Sequence, residues 1–199
     1  NKVPVTMLAR AEAEANTLSS GRRNNRFLPD SPFPDGLTVT HQPETALGKS
    51  DLVVVAVPSD RLRENIRQIK PHLQPGSIVL SATKGLELPA ARRMSQVLED
   101  ELPSEFHGGI CVLSGPNLAK EIVQGKPAST VIAGQSPEAT QQAQNALMSA
   151  SFRVYTSADV LGVELAGALK NIVALGAGIG DGMDAGENAK AAFITRGLA

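Results

Sequence analysis

The sequence is poor in cysteine, histidine and aromatic residues, and this scarcity excludes several kinds of site. Cys111 is the only cysteine among 199 residues, so an internal disulfide is excluded. Its apolar, strand-like surroundings favour a buried thiol over a nucleophile. The three histidines, His41, His72 and His107, lack the spacing of metal ligands. We therefore predict neither a disulfide nor a metal site.

The sequence also lacks an excess of charge of either sign. Its formal net charge is -1, with 20% charged and 42% hydrophobic residues, as in an ordinary soluble globular protein. This balance gives no electrostatic basis for binding nucleic acid or an anionic membrane. We expect that no apolar run reaches the length of a membrane span, and we find no signal-peptide pattern. We expect no membrane insertion and a cytoplasmic location.

Apolar runs alternate with helical patterns along most of the chain. The run DLVVVAVPS at 51–59 is unbroken, which predicts a central parallel strand buried on both faces. We predict an α/β fold, with a doubly wound, Rossmann-like parallel sheet over residues 1–157 and the start of an all-α second domain over 158–199. Ligands of such sheets bind at the carboxyl ends of the strands. Further strands are predicted at 77–82, 109–113, 128–134 and 151–156.

The first residues read as a strand that runs directly into a helix at 10–20. In dinucleotide-binding domains a strand and a G-x-G-x-x-G turn come before this point, and neither is found here, so we expect an N-terminally truncated domain. Arg10 then takes the position of the residue that contacts the adenosine ribose. An arginine there favours a 2′-phosphate and hence NADPH, whereas a solvated arginine is the alternative interpretation.

Two loops at the predicted carboxyl edge carry polar groups suited to a ligand. Lys84 follows a strand and precedes Gly85, which permits a tight turn, so its ammonium can meet a phosphate or a developing alkoxide, or can simply lie on the surface. In the segment SGPN after the next strand, Pro116 suits the first turn of a helix. We expect the N–H groups of Asn117 and Leu118 to be free to hold an anion, unless the Gly-Pro pair only caps the helix.

A helix is predicted over residues 159–175, with apolar residues wide enough around it to be buried on most sides. Lys170 lies inside this apolar pattern, with Gly167, Ala166 and Ala174 three or four residues away. These small neighbours leave room for a ligand beside the ammonium, and partial loss of hydration would suit the amine to proton transfer. The alternative is a lysine that extends its amine to the surface.

Four sequence blocks carry a resemblance to a known family. FLPDSPFPDGL at 27–37, SATKGLE at 81–87, LSGPNLAKEI at 113–122 and GALKNIVALGAGIGDGMDAGENAKAAFITRGL at 167–198 stand in the order and spacing of the NAD(P)-dependent glycerol-3-phosphate dehydrogenases. The resemblance implies an oxidoreductase that interconverts dihydroxyacetone phosphate and sn-glycerol 3-phosphate with NADPH or NADH, of which Arg10 favours NADPH. Such an enzyme supplies glycerophospholipid synthesis.

The resemblance also implies roles for individual residues. Lys170 takes the family's position of the proton donor and acceptor, and Lys84 that of a residue contacting both cofactor and substrate. Gly115 and Asn117 match positions that contact the substrate, and Ala119 one that contacts the cofactor. The family more often has Ser or Thr where this chain has Asn117, so a hydroxyl contact becomes an amide contact.

Several alternatives remain open at this point. A related two-domain dehydrogenase acting on a hydroxy or keto acid would also place a lysine on its first interdomain helix, and a non-catalytic nucleotide-binding or redox-sensing module would share the sheet. The expected partner is a small-molecule substrate, and a homodimer is compatible with the sequence. If a middle strand of the sheet is absent, two strand edges are unpaired, and we expect this chain by itself to be inactive and poorly stable.

Overall fold

A computed structural model describes residues 3–198 as alternating strands and helices. The strands are β1 (Val5–Leu8), β2 (Leu37–Thr40), β3 (Leu52–Val55), β4 (Ile78–Ser81), β5 (Leu86–Glu87), β6 (Arg92–Arg93), β7 (Ile110–Ser114), β8 (Ala128–Gly134) and β9 (Phe152–Ser157). The helices are α1 (Glu12–Gly21), α2 (Pro43–Leu47), α3 (Leu62–Ile69), α4 (Met94–Glu101), α5 (Ala119–Val123), α6 (Pro137–Leu147), α7 (Val160–Gly182) and α8 (Glu187–Leu198). Short 3₁₀ turns cover Ser59–Arg61, Lys70–His72 and Ser104–Gly109.

The main sheet has five strands in the order β3-β4-β7-β8-β9, with helices on its faces, so the predicted Rossmann-like α/β class is confirmed. The sheet is not purely parallel as predicted, because β8 runs antiparallel to β7. Between these two strands the chain forms only the five-residue helix α5 and turns back along the same sheet. An apolar strand has the same sequence pattern in either direction, so this reversal left no signal in the sequence.

β3 is an edge strand of the five-stranded sheet rather than the central strand that its sequence predicts. It pairs only with β4, while β1 and β2 form a separate parallel pair. Val54 in this strand is 47% exposed, although Val53 and Val55 on either side, which point to the opposite face, are buried. The continuous apolar run thus has one open face, and within residues 3–198 no strand joins β1 to β3.

Two hydrophobic cores lie on the two faces of the main sheet. Successive residues of β4 alternate between them: Val79 belongs to the core under α3 and α4, and Ile78 and Leu80 to the core under α6. Cys111 is fully buried in the second core, and burial raises the pKa of its thiol to about 11. This confirms the prediction of a buried cysteine, and a raised thiol pKa disfavours the nucleophilic thiolate. Both cores hold the ends of β4 and β7 in place, where the ligand crevice is expected.

α7 differs from its prediction in both length and burial. It has 23 residues, and none of them is buried when backbone and side chain are taken together, although the side chain of Glu164 is 7% exposed. Ile172, Leu175 and Ile179 are 66%, 68% and 56% exposed. The prediction of a helix buried on most sides is therefore wrong for this chain. The main contacts of α7 are with β7, β8 and α8, and they leave much of its surface open.

α7 is also long and apolar enough to cross a membrane, judged by its length and composition alone. Its mean hydropathy over an 18-residue window reaches 1.5, and none of that window is buried. The expectation that no apolar run reaches the length of a membrane span is therefore wrong. The same length and hydropathy occur in helices of water-soluble proteins. Whether α7 could enter a membrane therefore depends on its contacts with the rest of the protein.

Candidate functional site

A cleft of about 580 Å³ opens where the carboxyl ends of the sheet strands meet α7. This volume is typical of small-molecule sites. Four segments form its walls: the loop after β4, the end of β7 with the loop after it, a residue of β8 and one face of α7. The lining residues are Lys84, Ser114, Gly115, Pro116, Asn117, Leu118, Val131, Val163, Ala166, Gly167 and Lys170.

Gly115 lies where the loop after β7 contacts the neighbouring strand β8 most closely. A Cβ atom at this position would lie 2.7 Å from the carbonyl oxygen of Ser129 and 2.8 Å from the Cα of Thr130. Only glycine fits between these backbone atoms. The carbonyl oxygen of Gly115 accepts a hydrogen bond of 2.8 Å from the ammonium of Lys84, which links the two loops across the cleft.

Lys84 and Lys170 place two ammonium groups in the same cleft. Partial burial, and secondly the positive charge of Lys170, hold the pKa of Lys84 below its usual value. Lys170 itself is exposed, contrary to the burial expected from its helix, and donates a hydrogen bond of 2.8 Å to Oδ1 of Asn171. Two cations facing one cleft favour an anionic ligand.

The loop around Asn117 is not the helix start that the sequence predicts. α5 begins at Ala119, and the N–H of Asn117 donates to the carbonyl of Gly115 at 3.0 Å, so this N–H is not free. The side-chain amide of Asn117 donates to the carbonyl of Ser129 at 3.3 Å. Its Oδ1 is buried, and within the described residues it has no hydrogen-bond partner. Asn117 therefore offers an acceptor rather than the N–H donor that was expected.

Two predicted site residues do not line the cleft. Arg10 follows β1 in the separate two-stranded sheet, where its side chain is 84% exposed and lies 3.5 Å from the carboxylate of Glu14. Ala119 is exposed at the start of α5, next to Leu118, which does line the cleft. The structure thus brings together Lys84, Gly115, Asn117 and Lys170, and leaves Arg10 and Ala119 outside this group.

Gly167 lets α7 lie close to the end of β7. A Cβ atom at Gly167 would come within 2.6 Å of Oγ of Ser114, so a larger residue would require the Ser114 side chain to turn away or the helix to shift. One turn earlier, the carboxylate of Glu164 contacts α4 and is 7% exposed. We did not predict Glu164 from the sequence, although a lone glutamate in an apolar helix was the available signal. Within residues 3–198, no cluster of three His, Cys, Asp or Glu could hold a metal ion.

A layered α/β sheet with a ligand cleft at its strand ends defines the class of nucleotide-binding α/β domains. Sequence profiles narrow this class to one family. The profile of the NAD-dependent glycerol-3-phosphate dehydrogenase N-terminus matches residues 1–140, and that of the C-terminus matches residues 159–199. The chain belongs to the NAD-dependent glycerol-3-phosphate dehydrogenase family, which confirms the resemblance seen in the four sequence blocks.

Individual relatives agree with this assignment. A curated glycerol-3-phosphate dehydrogenase [NAD(P)+] of Dehalococcoides mccartyi is 52% identical over 98% of this chain and 54% of its own length. The crystal structure of the glycerol-3-phosphate dehydrogenase from Coxiella burnetii has a TM-score of 0.83 at 33% identity, over 97% of this chain and 58% of that one. The yeast enzyme has a TM-score of 0.85 at 26% identity, over 98% and 59%. The chain spans about half the length of the curated relatives it matches.

Proposed function

We propose that the product of the whole gene interconverts dihydroxyacetone phosphate and sn-glycerol 3-phosphate with NADPH or NADH, and so supplies glycerophospholipid synthesis. The observation that carries the proposal is the cleft in which Lys84, Gly115, Asn117 and Lys170 come together in a chain of this family. Relatives named glycerol-3-phosphate dehydrogenase [NAD(P)+] support the cofactor and the substrate. They favour this reaction over that of a hydroxy or keto acid dehydrogenase.

The residues present fit a nicotinamide cofactor at the strand ends. Gly115 lines the cleft while its backbone packs closely against β8, and the ammonium of Lys84 supplies a positive charge beside it. The cofactor supplies the hydride when it is bound. We propose that Lys84 and Ala119 contact its nicotinamide half and that Arg10, exposed with a single acidic neighbour, binds a 2′-phosphate.

The substrate chemistry is assigned to the two lysines and the amide. The pair of ammonium groups attracts the phosphorylated substrate, and Lys84 with the Gly115 loop orients it. Lys170 donates a proton to the ketone oxygen during reduction and accepts it in the reverse direction. The Oδ1 of Asn117 accepts a hydrogen bond from a substrate hydroxyl. In this proposal residues 1–157 hold the cofactor, and residues 158–199 begin the substrate domain.

The test of this function is the replacement of Lys170 in the product of the whole gene. Lys170→Ala should lower kcat for ketone reduction by on the order of 10²–10⁴-fold, since a general acid acts in the chemical step. The Kd for NADPH should stay unchanged. Lys170→Arg should not restore turnover, because a guanidinium stays protonated near neutral pH. A near-normal kcat for either variant would mean that Lys170 is a surface lysine and not the proton donor.

The preference for NADPH is tested at Arg10. Charge-assisted hydrogen bonds to a 2′-phosphate contribute roughly 1.5–3 kcal/mol. Arg10→Asp should therefore weaken NADPH binding by about 10- to 100-fold and change NADH binding much less. Titration of both cofactors against both proteins measures the difference. An equal loss for the two cofactors would mean that Arg10 supports the fold instead.

We further propose that the protein is cytoplasmic and that α7 does not enter a membrane. Glu164, within α7, is paired with Arg93 and Ser95 of the sheet domain, and a span would have to give up these contacts or bury them in lipid. The whole-gene product should appear in the soluble fraction of a cell lysate, and recovery with the membranes would contradict this. A homodimer remains a prediction, to be checked by analytical ultracentrifugation.

A further inference from the structure

Glu164 makes the most buried polar contact of α7. Its Oε1 accepts a hydrogen bond of 2.8 Å from the backbone N–H of Ser95, and its Oε2 accepts bonds of 2.6 Å from the hydroxyl of Ser95 and 2.6 Å from the guanidinium of Arg93. The side chain of Glu164 is 7% exposed. Every donor comes from the first turn of α4 or the residue before it, where a helix start favours a carboxylate.

This contact stands out because it is polar and well covered, whereas Ile172, Leu175 and Ile179 of α7 are more than half exposed. The other close contacts of α7 are those of Gly167 with Ser114 and Gly176 with Phe193. The helix contributes no buried residue to either hydrophobic core. A buried carboxylate that receives three hydrogen bonds has a defined orientation, whereas exposed apolar side chains allow a helix to rotate and slide. Glu164 is therefore the contact that sets the rotation of α7 about its own axis.

Lys170 follows Glu164 by six residues, which places it about a third of a turn further around the helix. Glu164, Gly167 and Lys170 are spaced three residues apart, so each lies about 60° around the helix from the one before, and the outer two are about 9 Å apart along the axis. Glu164 and Gly167 line a narrow space next to the cleft, and Gly167 and Lys170 line the cleft itself. A rotation of α7 at Glu164 would thus move Lys170 relative to Lys84.

We propose that Glu164 is a positioning residue, whose carboxylate, held by Ser95 and Arg93, fixes the rotation of α7 and so places Lys170 in the cleft opposite Lys84. This inference rests on the proposed function, because only the reaction makes the position of Lys170 matter. Glu164 itself does not line the cleft and takes no part in the proton transfer.

The test compares two buried carboxylates in the product of the whole gene. Glu101 is a matched control. It lies at the other end of α4, away from the cleft, and its side chain is 8% exposed and pairs with Arg63 and Arg67 of α3. Glu164→Ala should lower kcat for ketone reduction by on the order of 10²-fold, because displacing a reacting group by about 1 Å is enough for such a loss. The Kd for NADPH should stay within about twofold. Glu101→Gln should lower the Tm and keep kcat.

A second variant and a second measurement distinguish a failure of this inference from a failure of the proposed function. Glu164→Gln keeps the acceptor for the Ser95 amide and loses the ion pair, so its kcat should lie between those of the wild type and Glu164→Ala, and it replaces the alanine variant if that one does not fold. Hydrogen exchange at the Ser95 amide should accelerate in Glu164→Ala whether or not the protein turns over substrate. Unchanged kcat in both Glu164 variants, or an equal loss of kcat in Glu101→Gln, would overturn the inference. A wild type without ketone reduction would overturn the proposed function alone.

Discussion

β4 and α7 are both apolar, yet they differ in how much of their surface the fold buries. All four residues of β4 are buried between two cores, whereas none of the 23 residues of α7 is buried. The strand is covered on both faces by helices, while the helix contacts the ends of two strands and one other helix. Apolar sequence therefore produces burial only where the fold offers a surface on both sides. The contacts of α7 with the sheet and α4 include the close approach at Gly167 and the hydrogen bonds of Glu164.

The largest effect expected from this difference is a contrast between two leucine truncations in the product of the whole gene. Leu80 in β4 is 0% exposed and Leu175 in α7 is 68% exposed. Leu80→Ala should cost about 2–5 kcal/mol of unfolding free energy, through lost apolar burial and the cavity it leaves. Leu175→Ala should change this free energy by less than about 0.5 kcal/mol. Urea unfolding followed by circular dichroism measures both.

The Leu175 variant is the one that can break the comparison. A loss above about 1 kcal/mol would show that its side chain is covered in the whole-gene product, because exposed leucines do not contribute that much. A small loss at Leu80 would contradict the burial of β4 instead. Far-ultraviolet circular dichroism spectra of the folded variants provide the control that neither substitution changes the secondary structure.

A smaller and opposite pair of effects is expected at two glycines. Gly115 has no room for a side chain, since its Cβ would lie 2.7 Å from the oxygen of Ser129, whereas Gly178 in α7 has no atom within 4 Å of its Cβ position. Gly115→Ala should destabilise the protein by about 1–3 kcal/mol through overpacking. Gly178→Ala should stabilise it by up to about 1 kcal/mol, because alanine favours a helix interior. Thermal unfolding of both variants decides; a destabilising Gly178→Ala would mean that α7 is packed closely at this point.

The sequence predicted the strands and loops of the sheet better than their arrangement. The places of Lys84, Asn117 and Lys170 after strands or inside a helix indicate a site, the family resemblance adds Gly115, and the four residues do meet in one cleft. The antiparallel direction of β8 and the edge position of β3 were missed, because strand hydrophobicity records neither direction nor neighbours.

The exposure of α7 was missed for a related reason. A helical pattern of apolar residues reports what a helix can bury, not which surfaces contact it, so its width alone suggested burial. The sequence shows a lone glutamate at position 164 in an apolar helix but not its partner, because Ser95 lies 69 residues earlier and only the folded chain brings the two together. Long-range polar contacts of this kind leave no periodic signal in a sequence.

The smallest effect expected is a shift in the titration of Lys84. The positive charge of Lys170 is one of the two causes that hold the pKa of Lys84 below its usual value, the larger being burial. Lys170→Met removes that charge and so favours the protonated form of Lys84, which means that its pKa should rise. Burial remains, so the value should still lie below that of an ordinary lysine. NMR titration of the lysine side-chain signals measures the shift.

Lys120, an exposed lysine of α5 that does not line the cleft, provides the control for this titration. Lys120→Met removes the same charge from the protein as a whole, so a pKa of Lys84 that responds equally to both variants would reflect net charge rather than a shared cleft. An unchanged pKa in Lys170→Met would mean that the two ammonium groups do not interact. The exposed helix would then be free to hold Lys170 away from Lys84, and the contact of Glu164 would not be sufficient to fix it.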